Sequence, residues 1–319
     1  LGKIVMIDVD SVYRDFCDDL PEAIRQSAST LAFRLEVAPE GVPWSRVFPY
    51  EFTLAAPRLV ADGIRFLPSA TVRVAVLAHV LAVVEAIALS RLASGRISMT
   101  PELRKVLGYV RTARDDVCCV VEASMPEARF DLAFDRFEQT LAIERPVLEG
   151  LQPADLALYD RLTAAKQSVM LPASSMIALQ AGWPPDKRQT LRQLLTAVAC
   201  GLQVYEDVVD WEDNHVRGGA WPFFLCASLG SEAGTGAPAT GSERARVLDS
   251  GVLAVLLERA HQHFAKARRL AESLGLCCLE RWASAQAVAF HDLCRAESEY
   301  AGYAVRATAL RVWAEEVLT

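Results

Sequence analysis

"LQVYEDVVDWEDNHVRGGAWP", Leu202 to Pro222, sets Glu206, Asp207, Asp210, Glu212 and Asp213 within eight residues, and no Lys or Arg follows until Arg217. The preceding residues, Leu194 to Leu202, are apolar with a single Thr and read as a buried helix. If that helix continues, Gln203, Asp207, Asp210 and Asn214 fall at i, i+4, i+7 and i+11. Glu206, Asp210 and Asp213 follow a neighbouring line, and the two lines overlap into one acidic face. Val204, Val208 and Trp211 form a separate apolar stripe. One reading is a solvated acidic face. The other is a metal site, because like charges at i,i+3 and i,i+4 destabilise a helix unless a cation neutralises them. Hard divalent cations such as Mg²⁺ take carboxylate oxygens and keep waters that exchange for phosphate oxygens. The apolar helix leading into the stretch favours the metal reading.

Composition bounds the rest. The chain has 319 residues, 52% of them hydrophobic, enough for a large core. A net charge of −7 without a basic stripe argues against nucleic acid as the main partner. The longest apolar run, Val72 to Leu89, is interrupted by Arg73, His79 and Glu85, so no transmembrane segment is expected. The eight cysteines are scattered, with no CxxC spacing. That pattern predicts buried free thiols in a reducing, cytoplasmic setting.

Most of the chain reads as helix. Val12 to Leu35 is amphipathic, and Ala38 to Pro57, rich in Pro and Gly, reads as a long loop. Ala70 to Leu92 predicts a central apolar helix. Thr100-Pro101 starts a helix that runs to about Met125. Further helices are expected over 127–149, 153–182, 186–216, 244–274 and 278–316, the last with a break. "SEAGTGAPATG", Ser231 to Gly241, belongs to a flexible loop over about 229–243. The N-terminal "KIVMIDVD" is strand-like, and Asp8-Val9-Asp10-Ser11-Val12 resembles the nucleophile motif of haloacid-dehalogenase-type phosphatases. That fold needs alternating strands and helices, whereas helices follow directly here. Residues 1–37 therefore read as an N-terminal extension and helix, and 38–319 as one α-helical domain.

The acidic stretch resembles the second aspartate-rich motif of the class I isoprenoid synthase superfamily, through Gly201, Gln203, Glu206-Asp207, Asp210, Asp213, Gly218 and Pro222. Upstream, "AAKQSVMLPASSMIALQAG" resembles that superfamily's lysine helix, with Lys166, Ser174 and Ala181-Gly182 in step and Gln167 where Thr is usual. The resemblance implies an all-α bundle around a deep apolar cavity, with 70–92, 160–182 and 194–216 as inner helices. It also implies Mg²⁺ on Glu206, Asp207 and Asp210, and an allylic prenyl diphosphate as substrate. Lys166, Gln203, Arg91 and Arg217 would bind that substrate, and a homodimer is a further expectation. Val76, His79, Val80, Val83, Ile87, Met170, Met176 and Tyr205 would line the cavity.

Two departures qualify this. The superfamily's first aspartate-rich motif is missing: Glu85 stands where its first Asp would be, followed by Ala86, Ile87, Ala88 and Leu89. The nearest substitute is Asp115-Asp116, with Glu122 beyond it. Glu85, Asp115 and Asp116 are therefore the candidate catalytic acids, the alternatives being a hydrogen-bonded core Glu, partnered by Arg91 or His79, and a helix paired internally, as Arg111 to Asp115. The basic clusters that hold a second diphosphate in chain-elongating synthases are also missing, although Arg58, Arg65, Arg91 and Arg96 are present. A terpene cyclase, which needs only one diphosphate, is thus the expected activity. A prenyltransferase and a non-catalytic homologue are the alternatives.

Overall fold

The computed structural model describes residues 7–47, 50–64, 67–125, 129–217, 219–232 and 243–317. Arg65, Gly218 and residues 233–242 of the expected flexible loop lie outside them. In chain order the helices are α1 (Val9–Asp18), α2 (Glu22–Ser29), α3 (Leu31–Arg34), α4 (Tyr50–Asp62) and α5 (Ser69–Ala93). Then follow α6 (Pro101–Ser124), α7 (Phe130–Leu148), α8 (Leu156–Lys166), α9 (Pro172–Gln180) and α10 (Pro185–Val209). The last are α11 (Trp211–Arg217), α12 (Trp221–Glu232), α13 (Glu243–Asp249), α14 (Val252–Leu274) and α15 (Cys277–Val317). No strand occurs among the described residues, so the all-α expectation holds.

At the N-terminus, Asp8 caps α1 by accepting the Ser11 N–H at 3.3 Å. Asp10 accepts from the Ser45 backbone N–H at 3.2 Å and from the Ser45 hydroxyl. Both acids of the phosphatase-like motif are thus used in structural hydrogen bonds. The amphipathic stretch 12–35 is divided into α1, α2 and α3. Pro21 has no N–H to give a continuing helix and stands as the N-cap of α2.

The expected loop over 38–57 ends early, because α4 runs through Pro57. A helical proline leaves the carbonyl four residues before it without its intrahelical donor. Here that carbonyl belongs to Thr53, and the buried His79 of α5 donates its Nε2–H to it at 2.7 Å. Burial pushes the imidazole down to about 4, with the Thr53 hydrogen bond opposing, so His79 is neutral at ordinary pH.

Helix α5 meets its expected bounds. Every residue from Ala78 to Ala88 is buried, so the helix has no solvent face over that span. By length and hydropathy it also qualifies as a membrane span, unlike the sequence expectation, but most of it lies inside the protein against α4, α6, α9, α1 and α7. The apolar side chains form one continuous core from Val9 to Phe290. All eight cysteines are free thiols.

Three long helices expected from the sequence are interrupted. That over 244–274 is split into α13 and α14 before the left-handed Gly251, whereas the break expected within 278–316 is absent from α15. The other two interruptions shape the site. The helix expected over 153–182 is α8, then a 3₁₀ turn at Gln167–Met170, then α9 beginning at Pro172. The helix expected over 186–216 breaks at Asp210, the C-cap of α10.

Helix α10 packs along α14, and α14 along α15. At the first contact Gly201 faces Phe264, a fully buried ring 4.9 Å from the Phe290 ring and 5.7 Å from that of Trp282. A Cβ on Gly201 would lie 2.8 Å from the Phe264 ring. Replacement of Gly201 by Ala is therefore expected to destabilise the protein by about 1–3 kcal/mol through overpacking. In urea titrations the Phe264→Leu change, which makes room, should recover part of that loss in the double variant. An unchanged urea midpoint for Gly201→Ala would contradict this packing.

Candidate functional site

The inner faces of α5, α7 and α10 and the end of α8 enclose a cleft of about 460 Å³. Its lining is mixed. Val83, Ala86 and Ile87 of α5, Phe137 and Leu141 of α7, Val169, Met170 and Leu202 form an apolar wall. Lys166, Gln203, Glu206, Asp207, Asp210, Asn214, Arg91, Arg96 and Arg217 make the rest polar. All seven residues expected to bind substrate or metal thus share one cleft. Val76, His79, Val80, Met176 and Tyr205 do not line it; the first four are core residues, and the Tyr205 ring packs edge-on against Phe290 at 5.5 Å.

Lys166 ends α8, where the helix dipole favours a cation. Its ammonium reaches both oxygens of Glu144, at 3.0 and 2.9 Å. The lysine and glutamate side chains are only 10% and 8% exposed. The Trp221 indole N–H donates to Glu144 Oε1 at 2.8 Å. Beside this pair lies Asp207, which accepts from the Tyr159 hydroxyl at 2.9 Å and from the Gln203 amide at 3.1 Å. Two carboxyls therefore share one buried ammonium. Burial raises Asp207; Lys166 opposes that, Glu144 adds to it, and the carboxyl is pushed up to about 7. For Lys166 burial acts downward, but the charges of Glu144 and then Asp207 outweigh it and hold the ammonium above its ordinary value.

Glu144 was not anticipated, yet a signal for it exists. On α7 the buried positions are Phe130, Phe134, Phe137, Thr140, Glu144 and Val147, so the acid occupies the apolar stripe itself. Such a carboxylate requires a partner, and Lys166 is the partner.

At the other end of the cleft, Arg96 donates from Nε to Asn214 at 2.6 Å and lies 2.8 Å, through Nη2, from Asp210 Oδ2. Arg217 reaches the Glu36 carboxylate at 3.0 Å and the Arg96 carbonyl at 3.3 Å, and Arg91 reaches the Glu36 carbonyl at 3.0 Å. Glu36 has a left-handed backbone, with φ of 54°. Gly219 closes the wall: its φ is 131°, and a Cβ there would lie 2.1 Å from the Leu148 carbonyl oxygen.

The other three candidate acids do not reach this cleft. Glu85 is 2% exposed and turned toward α6, where Arg111 donates to Oε1 at 2.7 Å and Arg114 lies 2.6 Å from Oε2. Its partners are these two arginines rather than Arg91 or His79. Burial raises its carboxyl, and the Arg111 hydrogen bond opposes the shift. Asp115 is exposed and pairs with the adjacent Arg114 at 2.7 Å instead of Arg111, and Asp116 is exposed on α6. Glu122 accepts the Phe130 and Asp131 backbone N–H groups at 2.6 and 3.1 Å. The α5 residues that line the cleft run from Val83, Ala86 and Ile87 to Ser90 and Arg91 near its end, with no carboxylate among them.

Whether the acidic set fits Mg²⁺ depends on its geometry. The donors are oxygens, which suits the ion. However, the break at Asp210, with φ −97° and ψ 9°, removes Asp213 from the face. Glu212 pairs with Arg244 at 2.7 Å, and Asp213 is exposed. Asp207 is engaged by Tyr159 and Gln203, and Asp210 by Arg96. Among the described residues no three Asp, Glu, His or Cys side chains converge where they could hold an ion. As arranged, the set does not fit the metal that the resemblance implies.

The shared ammonium has a consequence for stability. Asp207 holds its proton to about 7 in the folded state and to about 3.9 in an unfolded chain, so stability falls as pH rises through that window. The Asp207→Asn variant should melt above the parent at pH 8, and the difference should shrink toward zero by about pH 4. Equal melting temperatures across that range would show that folding leaves the Asp207 carboxyl unshifted.

No family model matches the chain, and no curated relative does. Solved structures do match it. A geranylgeranyl pyrophosphate synthase from Lactobacillus brevis aligns at a TM-score of 0.67 and 14% identity, over 87% of this chain and 95% of that one. A decaprenyl diphosphate synthase from Rhodobacter capsulatus aligns at 0.67 and 12%, over 88% and 95%. A polyprenyl synthase from Caulobacter crescentus, complexed with calcium and isoprenyl diphosphate, aligns at 0.64 and 14%, over 88% and 93%. With helices in the same arrangement along nearly its whole length, the chain has the fold of the class I isoprenoid synthases.

Proposed function

We propose that the cleft binds a prenyl diphosphate and that the chain transfers its prenyl group to an acceptor. The observation that carries this is the placement of Lys166, Gln203 and the Arg91–Arg96–Arg217 group at the polar part of a cleft whose other wall is apolar. A diphosphate suits the first part and an isoprenoid chain the second. Three solved structures of this fold described as prenyl-chain synthases support transfer over the cyclisation expected from the sequence.

In such a transfer the allylic C–O bond breaks and its electron pair leaves on the diphosphate. The acceptor's π electrons form the new C–C bond, and the resulting cation loses a proton. The chain's contribution is electrostatic and steric. Lys166, Arg91 and Arg217 meet the charge that develops on the leaving oxygen. Val83, Ile87, Phe137 and Met170 keep water from the allylic cation.

The test supplies geranyl, farnesyl or geranylgeranyl diphosphate, each with a five-carbon homoallylic diphosphate or an aromatic acceptor, with and without Mg²⁺. Pyrophosphate release coupled to a longer or prenylated product is expected. Lys166→Gln, made together with Glu144→Gln so that Glu144 is not left without its cation, should lower kcat/KM roughly a hundredfold while the fold survives. A cyclic hydrocarbon formed without any acceptor would restore the cyclase reading. Absence of both binding and release for all three diphosphates would leave a non-catalytic homologue.

A further inference from the structure

We propose that Arg96 is a built-in counter-ion that takes the neutralising role of a divalent cation, so that the cleft binds its diphosphate without metal. The proposal rests on the prenyl diphosphate reading above and specifies how the anion is held.

The geometry begins with Asp210. Its carboxylate was one of the three expected metal ligands, and its Oδ2 is met at 2.8 Å by the Arg96 guanidinium. The same guanidinium is anchored to Asn214 at 2.6 Å, one helical turn further on. Arg96 thus spans two oxygens of the acidic face from a side chain only 11% exposed. A planar guanidinium carries five N–H donors and stays charged at any working pH. Two contacts are made to the protein, and the side chain lines the cleft, so donors remain for a phosphate oxygen.

Charge balance leads the same way. The cleft lining contains five cations, Arg91, Arg96, Arg145, Lys166 and Arg217, and five acids, Glu144, Glu149, Glu206, Asp207 and Asp210. Lys166 is matched to Glu144, Arg145 to Glu149 and Arg96 to Asp210. Three of the five acids are thus each held by one cation, and Asp207 is held by the Tyr159 hydroxyl and the Gln203 amide, so among the described residues no three carboxylates converge to draw in a divalent ion. Arg217 is 40% exposed and is held through its side chain by Glu36, a carboxylate that an incoming phosphate can replace. An arriving diphosphate would meet Arg96, Arg217 and Arg91 as its counter-ions.

The experiment measures Mn²⁺ binding by electron paramagnetic resonance and inorganic pyrophosphate binding by calorimetry, for the parent, Arg96→Gln, Arg96→Lys, Asp210→Asn and Arg96→Gln/Asp210→Asn. Melting curves confirm that each variant is folded. The parent should bind pyrophosphate in EDTA and show no saturable Mn²⁺ site at millimolar metal. Arg96→Gln keeps a hydrogen-bonding group but loses the charge. It should weaken pyrophosphate binding in EDTA about tenfold, the weight of one charge-assisted contact, and gain a Mn²⁺ site. Adding Asp210→Asn should abolish that gained site, and Arg96→Lys should behave as the parent toward Mn²⁺. A parent Mn²⁺ site that is lost in Asp210→Asn alone, or pyrophosphate binding that requires metal, would overturn the proposal. Should the protein bind no pyrophosphate or prenyl diphosphate under any condition, the reading of function fails. The Mn²⁺ comparison of parent and Arg96→Gln would then still decide the role of Arg96.

Discussion

The rest of the site depends on one buried ammonium. Lys166 lies at the junction of α7, α8 and α10, with Glu144 from the first holding it and Asp207 from the third beside it. Trp221 of α12 donates to the same glutamate, and Tyr159, earlier in α8, to the same aspartate. Buried charges tolerate such a position only when paired and hydrogen-bonded, and removal of one partner from a buried pair typically costs about 3–5 kcal/mol. The cluster therefore ties four helices to one geometry. It also sets the electrostatics of the cleft: with one cation between two acids, burial drives Asp207 toward its neutral form.

The second determinant is a helix that stops. Had α10 continued past Val209, Asp210 and Asp213 would have stacked with Glu206 on one face. Instead Asp210 caps α10, Trp211 turns into the core at 5% exposure, and Asp213 leaves the cleft. Of the acids that remain, Asp210 meets Arg96, and Asp207 takes hydrogen bonds from Tyr159 and Gln203 beside the Lys166–Glu144 pair. This differs in kind from a cage of converging carboxylates.

Glu85 shows how far one residue's role depends on its neighbours. It stands where an aspartate-rich motif was sought, but near it the α5 residues that line the cleft are Val83, Ala86, Ile87 and Ser90. A residue at 85 lies on the opposite side of the helix from those positions and points toward α6. There Arg111 and Arg114 neutralise it, and the Arg114 guanidinium also lies 3.9 Å from the centre of the Phe134 ring. The result is a structural ion pair joining α5, α6 and α7, away from the chemistry of the cleft.

Local and periodic features were legible in the sequence. The largely apolar run over 70–92 predicts a central helix, Thr100-Pro101 predicts the start of another, and the spacing of Gln203, Glu206, Asp207 and Asp210 placed them on one face of one helix. These properties depend on residues within a few turns of each other, where helical geometry is the sole constraint. Long-range pairing decided the rest. Pro57 reads as a helix breaker until His79, from a different helix, supplies a donor for the carbonyl it strands. Glu144 is an anomalous acid in an apolar stripe until Lys166, 22 residues later, is folded against it. The acidic face looks like a metal ligand set until Arg96, 118 residues before Asn214, is brought onto it. A charge's chemistry is set by the counter-charge within a few ångströms, and only the tertiary fold determines which distant residue occupies that shell.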